Sequence, residues 1–350
     1  VQVTGSVGKT TTKEMIAAVL RTALRTQWTE KNYNNEIGLP VSVLRLKPDC
    51  EAAVLEMGMN HFGELSVLTR IAQPDLAVIT NIGTMHIENL GSREGILRAK
   101  LEILEGLRPG GRIIFNGDDA LLRPLAARYH AVCFGLSEGC DVRASRVCET
   151  AEGSKFTVHA FGKSFEAALN VPGLHNVLDA LAAAAAGLLL GLSPEQIAEG
   201  LRSYAPLRQR VSHAAGMTII DDCYNAGPES MRAALRVLAG TPTEGRRIAV
   251  LGGMLELGDF APELHAGVGR EAAKTADLLL AYGPCSECYV QGAHEAGLAG
   301  ARAFATHDAL VAALEETCRA GDTLLFKGSH GMHMEQVLAR LLKTKEHMGE

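Results

Sequence analysis

The sequence has few aromatic residues and no excess of basic charge. Phe, Trp and Tyr make up 5% of the chain, and 34 Lys and Arg stand against 40 Asp and Glu, which gives a net charge of −6. A nucleic-acid backbone attracts a basic surface, and no basic stripe occurs here. The composition therefore argues against a nucleic-acid partner, and the 47% apolar content suits an α/β protein packed with Ala, Val and Leu.

Long hydrophobic runs are also lacking. The longest, Ala180–Leu192, is shorter than the roughly 20 residues that a membrane-spanning helix needs. We therefore expect a buried helix there and no membrane span. Nothing at the N-terminus resembles a signal peptide.

The cysteines do not form a metal-binding pattern. The 8 cysteines are scattered, and Cys285 and Cys288 form one CxxC without a second pair at zinc spacing. Two ordinary thiols are the expected interpretation, and a zinc half-site is the alternative. This cysteine usage is typical of a reducing compartment, so we expect a cytoplasmic protein.

The 350 residues fit two domains. In residues 1–206, short apolar runs alternate with helical stretches, a pattern typical of buried parallel strands covered by helices. Residues 141–172 alternate in polarity and turn on glycine, which predicts antiparallel hairpins added to the sheet. An Ala-rich helix is predicted over 176–192. The predicted parallel strands lie at residues 52–58, 75–83 and 111–119.

A second series of strands and helices begins after the stretch 201–211, which is the predicted domain boundary. Its spacing predicts a doubly wound, Rossmann-like sheet over residues 207–350. The fold class is thus α/β: a P-loop parallel-sheet ATPase domain with a small antiparallel β insertion, then a Rossmann-like C-terminal α/β domain. The predicted strands of the second domain lie at 217–222, 246–253, 277–283, 301–306 and 322–329.

The strongest local motif is GSVGKT, residues 5–10. A strand, a glycine-bearing turn and a helix surround a phosphate with backbone N–H groups and the positive helix end. Lys9 would reach the outer phosphates and Thr10 would offer its hydroxyl to Mg²⁺. The general pattern places Gly six residues before the lysine, where this chain has Val3. A plain glycine turn is the alternative. The predicted nucleotide-binding loop comprises Gly5, Ser6, Val7, Gly8, Lys9, Thr10 and Thr11.

Charged side chains also stand where predicted strands end. Glu56 follows the run AAVL, a position that suits a carboxylate ligand of Mg²⁺, although a solvated strand end or helix cap would look the same. Asp221 and Asp222 end a strand of the second domain, on the edge where ligands collect in open α/β sheets. Lys327 ends another strand and would act on substrate or ATP, the alternative being a surface lysine.

The shortened TGSxGKT loop resembles that of the Mur ligases and their folylpolyglutamate synthase relatives. Across the whole chain the order of motifs is similar to the MurF type, which adds D-alanyl-D-alanine to a UDP-N-acetylmuramoyl-tripeptide in peptidoglycan synthesis. The resemblance implies ATP-dependent amide formation through an acyl phosphate. It also implies a preceding domain for the UDP end of the substrate, so we expect this chain to hold the later two domains. The motifs are NNEIGLP (34–40), LEMGMN (55–60), TNIGTMHIENLGSREGILRAKLEI (80–103), NGDD (116–119), GLHN (173–176), DDCYNAGPESM (221–231), MLELG (254–258) and KGS (327–329).

The resemblance assigns roles to residues of this chain. The catalytic set would be Lys9, Glu56, His86 and Lys100. ATP and two Mg²⁺ ions are the implied cofactors; Thr10, Glu56, His86 and Lys100 would hold the metal, with Lys100 carbamylated. Asn176, Arg210 and Asp222 would contact ATP. Asn34, Asn35, Tyr224, Asn225 and Lys327 would contact substrate, with Ser230 a weaker candidate; an Asx-turn is the alternative for Asn34 and Asn35.

Three residues depart from the family pattern: Asp179 replaces a usual Asn, Gly253 a usual Asp and His330 a usual Arg. They put substrate choice in doubt more than the chemistry. The alternatives are a folylpolyglutamate synthase-like or other Mur-type ligase, or an ATP-binding fragment inactive without its front domain. A GTPase or kinase ranks third, since no Asn-Lys-x-Asp stretch occurs. We expect a monomer.

Overall fold

The computed structural model describes residues 1–150, 153–206 and 210–347. The chain divides into two units, Val1–Ala205 and Pro206–Glu350. The predicted boundary after residue 206 lies one residue from this division.

The first unit is built on a nine-stranded sheet in the order β2-β3-β1-β4-β5-β6-β7-β8-β9. Neighbours from β2 to β7 run parallel, whereas β8 is antiparallel to both β7 and β9. The predicted antiparallel insertion at the end of a parallel sheet is therefore confirmed. The strands are β1 Gln2–Thr4, β2 Thr26–Trp28, β3 Ala52–Glu56, β4 Leu76–Ile79, β5 Arg112–Asn116, β6 Val132–Gly135, β7 Val142–Thr150, β8 Gly153–Ala160 and β9 Lys163–Leu169.

The helices of this unit pack on the sheet through alanine and branched aliphatic side chains. They are α1 Lys9–Leu20, α2 Gly38–Leu44, α3 Glu64–Ala72, α4 Ile87–Leu90, α5 Arg93–Leu101, α6 Ala126–Tyr129, α7 Leu174–Leu189 and α8 Pro194–Ser203. Helix α7 is the predicted Ala-rich helix, and its small side chains let it pack closely against α1. It ends before Gly191, whose φ of +85° is a left-handed conformation that glycine adopts readily.

The second unit has a six-stranded sheet in the order β10-β11-β15-β12-β13-β14, parallel except for β10. The predicted doubly wound sheet is confirmed. The strands are β10 Arg210–Ala214, β11 Met217–Asp222, β12 Arg247–Gly252, β13 Leu278–Tyr282, β14 Ala301–Phe304 and β15 Thr323–Lys327. The helices are α9 Pro228–Gly240, α10 Ala261–Thr275, α11 Ser286–Glu295, α12 His307–Thr317 and α13 Met334–His347.

Strand pairing determines which polar residues become neighbours. In the first unit, β1 pairs with β3 so that Val3 lies opposite Glu56. In the second, β11 pairs with β15 so that Asp222 lies opposite Lys327. Each unit thus gathers strand-end polar residues at the carboxyl edge of its own sheet. Within the described ranges no helix is long and apolar enough to cross a bilayer.

Candidate active site

The loop between β1 and α1 has two positions that only glycine fits. A β-carbon on Gly5 would lie 1.8 Å from Thr80 Oγ1. Gly8 has a φ of +83°, which side-chain-bearing residues rarely adopt, and it caps the N-terminus of α1. The loop therefore holds the conformation in which backbone N–H groups and the positive helix end surround an anion.

Residues after β4 brace this loop from the side; they begin the motif at 80–103, but the sequence assigned them no such role. Asn81 exchanges hydrogen bonds with Val7: its Oδ1 accepts from the Val7 N–H at 3.0 Å, and its Nδ2 donates to the Val7 carbonyl at 3.0 Å. Thr80 Oγ1 donates to the same carbonyl at 2.6 Å, and Ser6 Oγ accepts from the Gly83 N–H at 2.8 Å. The motif TNIG (80–83) therefore supports the loop rather than only following a strand.

The side chains of Lys9, Thr10 and Thr11 lie on or beside the loop. The Lys9 ammonium donates to the carbonyl oxygens of Gly5 and Ser6 at 2.9 and 3.2 Å, so it lies over the loop. Thr10 is buried in the first turn of α1, and Thr11 is half-buried beside it. This arrangement of strand, glycine turn, lysine and helix is compatible with a phosphate-binding loop.

Glu56 lies at the end of β3 beside this loop and is almost fully buried. Its Oε1 accepts a hydrogen bond from Asn34 Nδ2 at 2.7 Å, and its backbone N–H donates to Thr29 Oγ1 at 3.0 Å. Its Oε2 is buried and has no hydrogen-bond partner among the described residues. A buried carboxylate oxygen without a partner fits a ligand of a divalent cation, because burying it otherwise costs free energy.

Lys13 is a further buried charge near Glu56, and the sequence analysis did not identify it. The side chain is fully buried; its ammonium donates to the Thr29 carbonyl at 2.7 Å and pairs with Glu14 at 2.6 Å. Thr29 in turn accepts from the backbone of Glu56. The only sequence signal was a lysine one turn into the helix after GKT, a position that reads as exposed.

Lys100 lies on α5 and is 2% exposed, so its side chain does not lie on a solvated helix face as a helix lysine usually does. Burial lowers the pKa of its ammonium well below the usual value, and the neighbouring charge of Lys9 lowers it further. The structure therefore places a lysine that tends to lose its proton next to the loop lysine.

His86 caps α4 with a left-handed backbone, φ 63°, and its side chain is half-buried. The described residues contain no group of three or more His, Cys, Asp or Glu suited to hold a metal. The unmodified predicted ligands supply one carboxylate, one imidazole and the Thr10 hydroxyl, so a full metal site there needs further oxygen donors.

Asn35 and Asn176 make local contacts. Asn35 Oδ1 accepts from the Ile37 N–H at 3.3 Å, which is the Asx-turn alternative, and from the Gly38 N–H at 2.8 Å. Asn176, in the first turn of α7, is buried and donates from Nδ2 to the Pro172 carbonyl at 2.7 Å. Neither contact brings its side chain to the phosphate loop.

Asp179, one of the departures from the family pattern, lies on α7 against the phosphate loop. Its Oδ1 accepts from Thr12 Oγ1 at 2.8 Å, and a β-carbon on Gly8 would lie 2.6 Å from the same oxygen. Burial raises the pKa of this carboxyl to about 8, although the Thr12 hydrogen bond acts in the opposite direction. Burial at this position therefore favours the protonated form of the carboxyl.

The second unit holds a buried ion pair at the carboxyl edge of its sheet. Lys327 Nζ lies 2.5 Å from Asp222 Oδ2 and donates to the Asn225 carbonyl at 2.9 Å. Lys327 is 2% exposed, which makes the surface-lysine alternative wrong. Asp222, predicted to bind ATP, is thus paired with Lys327, predicted to act on substrate or ATP.

The neighbouring residues Tyr224 and His330 lie together, with ring centroids 6.0 Å apart and Tyr224 41% exposed. Ser230 caps α9 through Gly227 rather than pointing to a ligand. At Gly253 a β-carbon would lie 3.0 Å from the Pro284 carbonyl, so this site has little room for the aspartate usual in the family. The side chain of Arg210 lies outside the described part of the chain.

Each of the two units matches a known protein family domain. Residues 3–187 match the Mur ligase middle domain, and residues 208–330 match the Mur ligase, glutamate ligase domain. The chain is 40% identical to the UDP-N-acetylmuramoyl-tripeptide--D-alanyl-D-alanine ligase of Bacillus subtilis over 98% of this chain and 75% of that protein.

Two solved structures are also similar. A MurF crystal structure from Acinetobacter baumannii superposes with a TM-score of 0.90 at 36% identity, over 98% of this chain and 76% of that one. A MurF ligase from Thermotoga maritima in complex with ADP gives 0.88 at 29% identity, over 99% of this chain and 80% of that one. With the phosphate loop and the two α/β units in place, these matches confirm the predicted family: the chain belongs to the Mur ligases, a family of ATP-dependent ligases.

Proposed function

We propose that this chain joins D-alanyl-D-alanine to UDP-N-acetylmuramoyl-tripeptide at the expense of ATP. The observation that carries this proposal is the 40% identity, over nearly the whole chain, to a relative named for that reaction. The geometry of the first unit supports it, because the phosphate loop, Glu56 and Lys100 are the parts that a carboxylate-activating ligase requires.

The reaction proceeds in two steps. An oxygen of the acceptor carboxylate attacks the γ-phosphorus of ATP, the bond to ADP breaks and an acyl phosphate forms. The amine of D-alanyl-D-alanine then attacks the acyl carbon, phosphate leaves with the bonding electrons and the nitrogen loses a proton. A free carboxylate is a poor electrophile, which is why it must be activated first.

Backbone N–H groups of Gly5–Thr11 and the Lys9 ammonium hold the ATP phosphates and meet the charge that gathers on the transferred group. Thr10, Glu56, His86 and a modified Lys100 would hold magnesium, which when bound neutralises charge on the phosphate oxygens. The orphaned Oε2 of Glu56 is the observation that fits this assignment.

Lys100 would be carbamylated. The ammonium first loses one proton; the neutral amine then attacks CO₂, a nitrogen–carbon bond forms, one carbon–oxygen π bond opens onto oxygen and a second proton leaves the nitrogen, so that a cation becomes an anion. Burial and the Lys9 charge favour the neutral amine that this reaction needs, and the carbamate supplies oxygen donors that a lysine lacks.

In the second unit, Tyr224, Asn225 and Lys327 are the proposed substrate contacts, and Asp222, which pairs with Lys327, is a proposed ATP contact. Asn34 belongs to the same proposal through its hydrogen bond to Glu56. Asn35 is a proposed substrate contact, and Asn176 and Arg210 are proposed nucleotide contacts.

The test is phosphate release from ATP with Mg²⁺ and the tripeptide nucleotide, with either D-alanyl-D-alanine or L-glutamate as amine. We expect release that depends on D-alanyl-D-alanine and is lost in Lys9→Met by at least about 100-fold. Stimulation by L-glutamate instead would favour a folylpolyglutamate synthase-like enzyme and contradict the proposal.

Carbamylation is tested separately by intact-mass measurement under native conditions with ample CO₂. We expect an added CO₂ in the wild type and none in Lys100→Arg, which keeps a long basic side chain that does not form the carbamate. An unmodified wild type that still binds Mg²⁺ and turns over ATP would remove the carbamate from the proposal.

A further inference from the structure

We propose that Asp179 is a positioning residue for the phosphate loop and serves it as the neutral carboxylic acid, so that its deprotonation weakens nucleotide binding. This inference rests on the proposed nucleotide site. It begins with contact: Asp179 Oδ1 accepts from Thr12 Oγ1, and Gly8 approaches the same oxygen so closely that a β-carbon there would lie 2.6 Å away.

Gly8 is the residue at which the loop becomes helix α1. In the proposed site the nucleotide phosphates bind on this turn. A charge on Asp179, which lies against Gly8, would therefore be close to an anion of the same sign. As the acid, the side chain carries no charge and keeps its contacts with both Thr12 and Gly8.

Among the described residues, no cation forms an ion pair with Asp179. Its described contacts include no ion pair, and burial is the dominant influence on its protonation. On α1, Lys9 donates to carbonyls of its own loop, and Lys13 pairs with Glu14 and the Thr29 carbonyl. Helix α7 and the other elements packed on it carry further titratable groups. They are His175 on α7, Arg112 on β5, Cys133 on β6, Arg143, Arg146, Cys148 and Glu149 on β7, Lys155 and His159 on β8, and Glu195, Glu199 and Arg202 on α8.

An uncharged acid and an asparagine have nearly the same shape and can make similar hydrogen bonds. Asp179→Asn therefore mimics the proposed state at every pH. Thr12→Val removes the hydroxyl that stabilises the charged form, so it should shift the titration of Asp179 to higher pH.

The experiment is titration calorimetry with Mg²⁺ and ADP from about pH 6.5 to about pH 9.5 on the full chain, in buffers of different ionisation enthalpy. We expect the wild-type affinity to fall by at least about 10-fold as Asp179 deprotonates, with proton uptake on binding near the midpoint. Asp179→Asn should bind equally well across the range once the shared titration of the nucleotide is subtracted, and Thr12→Val should move the midpoint upward.

The outcomes separate two failures. If no protein binds ADP at any pH, the nucleotide site itself is wrong. If all three bind with the same pH profile, or if Asp179→Asn binds weakly even at low pH while remaining folded by circular dichroism, the inference about Asp179 is overturned and the nucleotide site stands.

Discussion

At the scale of single residues, Glu56 shows a buried charge kept for something other than stability. One carboxylate oxygen is satisfied by Asn34, and the other is buried without a partner among the described residues. Such an oxygen costs on the order of 1–3 kcal/mol unless a ligand binds it. Residues of this kind mark sites where function, rather than folding, selects the side chain.

Glu56→Gln should separate the role of the carboxylate in function from its effect on stability. The amide keeps the oxygen that Asn34 contacts but removes the buried charge, so we expect ATP turnover to fall by at least about 100-fold. The free energy of unfolding should stay the same or rise by about 1 kcal/mol. Denaturant unfolding measures the free energy of unfolding, and phosphate release measures ATP turnover. The exposed Glu199→Gln is the matched control and should change neither; a Glu56→Gln protein that keeps full turnover would exclude Glu56 as a metal ligand.

Asp179 makes stability depend on pH. Its pKa is raised from its usual value near 3.8 to about 8 on folding, so the folded state holds more protons between those values. The free energy of unfolding should therefore fall as pH rises through this window and level off above it. Asp179→Asn should remove this slope and stabilise the protein by more than about 1 kcal/mol at about pH 8. Urea unfolding of the wild type, of Asp179→Asn and of the exposed control Asp259→Asn at several pH values checks this. The same dependence of the unfolding free energy on pH in all three proteins would contradict it.

At the scale of elements, the phosphate loop depends on a glycine for two separate reasons. Gly8 has a left-handed backbone and also a close neighbour in Asp179. Gly63, which caps α3, has a similar φ of +86° but nothing within 4 Å of a β-carbon. Comparing substitutions at Gly8 and Gly63 therefore separates the cost of backbone strain from the cost of a steric clash.

Gly63→Ala should cost about 1 kcal/mol of stability and leave ADP affinity unchanged. Gly8→Ala should cost more and weaken ADP binding by at least about 10-fold, because the methyl group displaces Asp179 or shifts the loop amides. Thermal unfolding and calorimetry with ADP measure both. Equal effects of the two substitutions would mean that Asp179 moves aside without cost.

At the scale of the whole molecule, two separate hydrophobic cores predict more than one unfolding transition. Leu201 in the first core and Leu314 in the second are both fully buried on helices, α8 and α12. Each Leu→Ala change should lower the free energy of unfolding of its own unit by about 2–5 kcal/mol, and with it the transition temperature of that unit. ADP should raise mainly the transition that Leu201→Ala lowers, because the phosphate loop belongs to the first unit. Differential scanning calorimetry checks this, and a single transition shifted equally by both variants would show one cooperative unit.

The sequence predicted most of the architecture because strand and helix periodicity and glycine positions are local. The strands at 52–56 and 217–222 and the Ala-rich helix were predicted close to their observed bounds. Strands β2 and β6 were missed, since strands of three and four residues are defined by their pairing rather than by their own pattern. Among site residues, Asn81 and Lys13 were missed for the same reason: their partners Val7 and Thr29 lie far away in the chain or on another element.

The sequence by itself determined the phosphate loop and the family, because both depend on residue types at short, ordered spacings. Only the tertiary structure decided that Lys100 is buried, that Lys327 pairs with Asp222 and that Asp179 lies against Gly8. Burial and charge pairing depend on distances between residues up to 171 positions apart, as Asp179 is from Gly8. Those distances exist only after the strands have paired and the helices have packed, and they set the protonation states on which the chemistry depends.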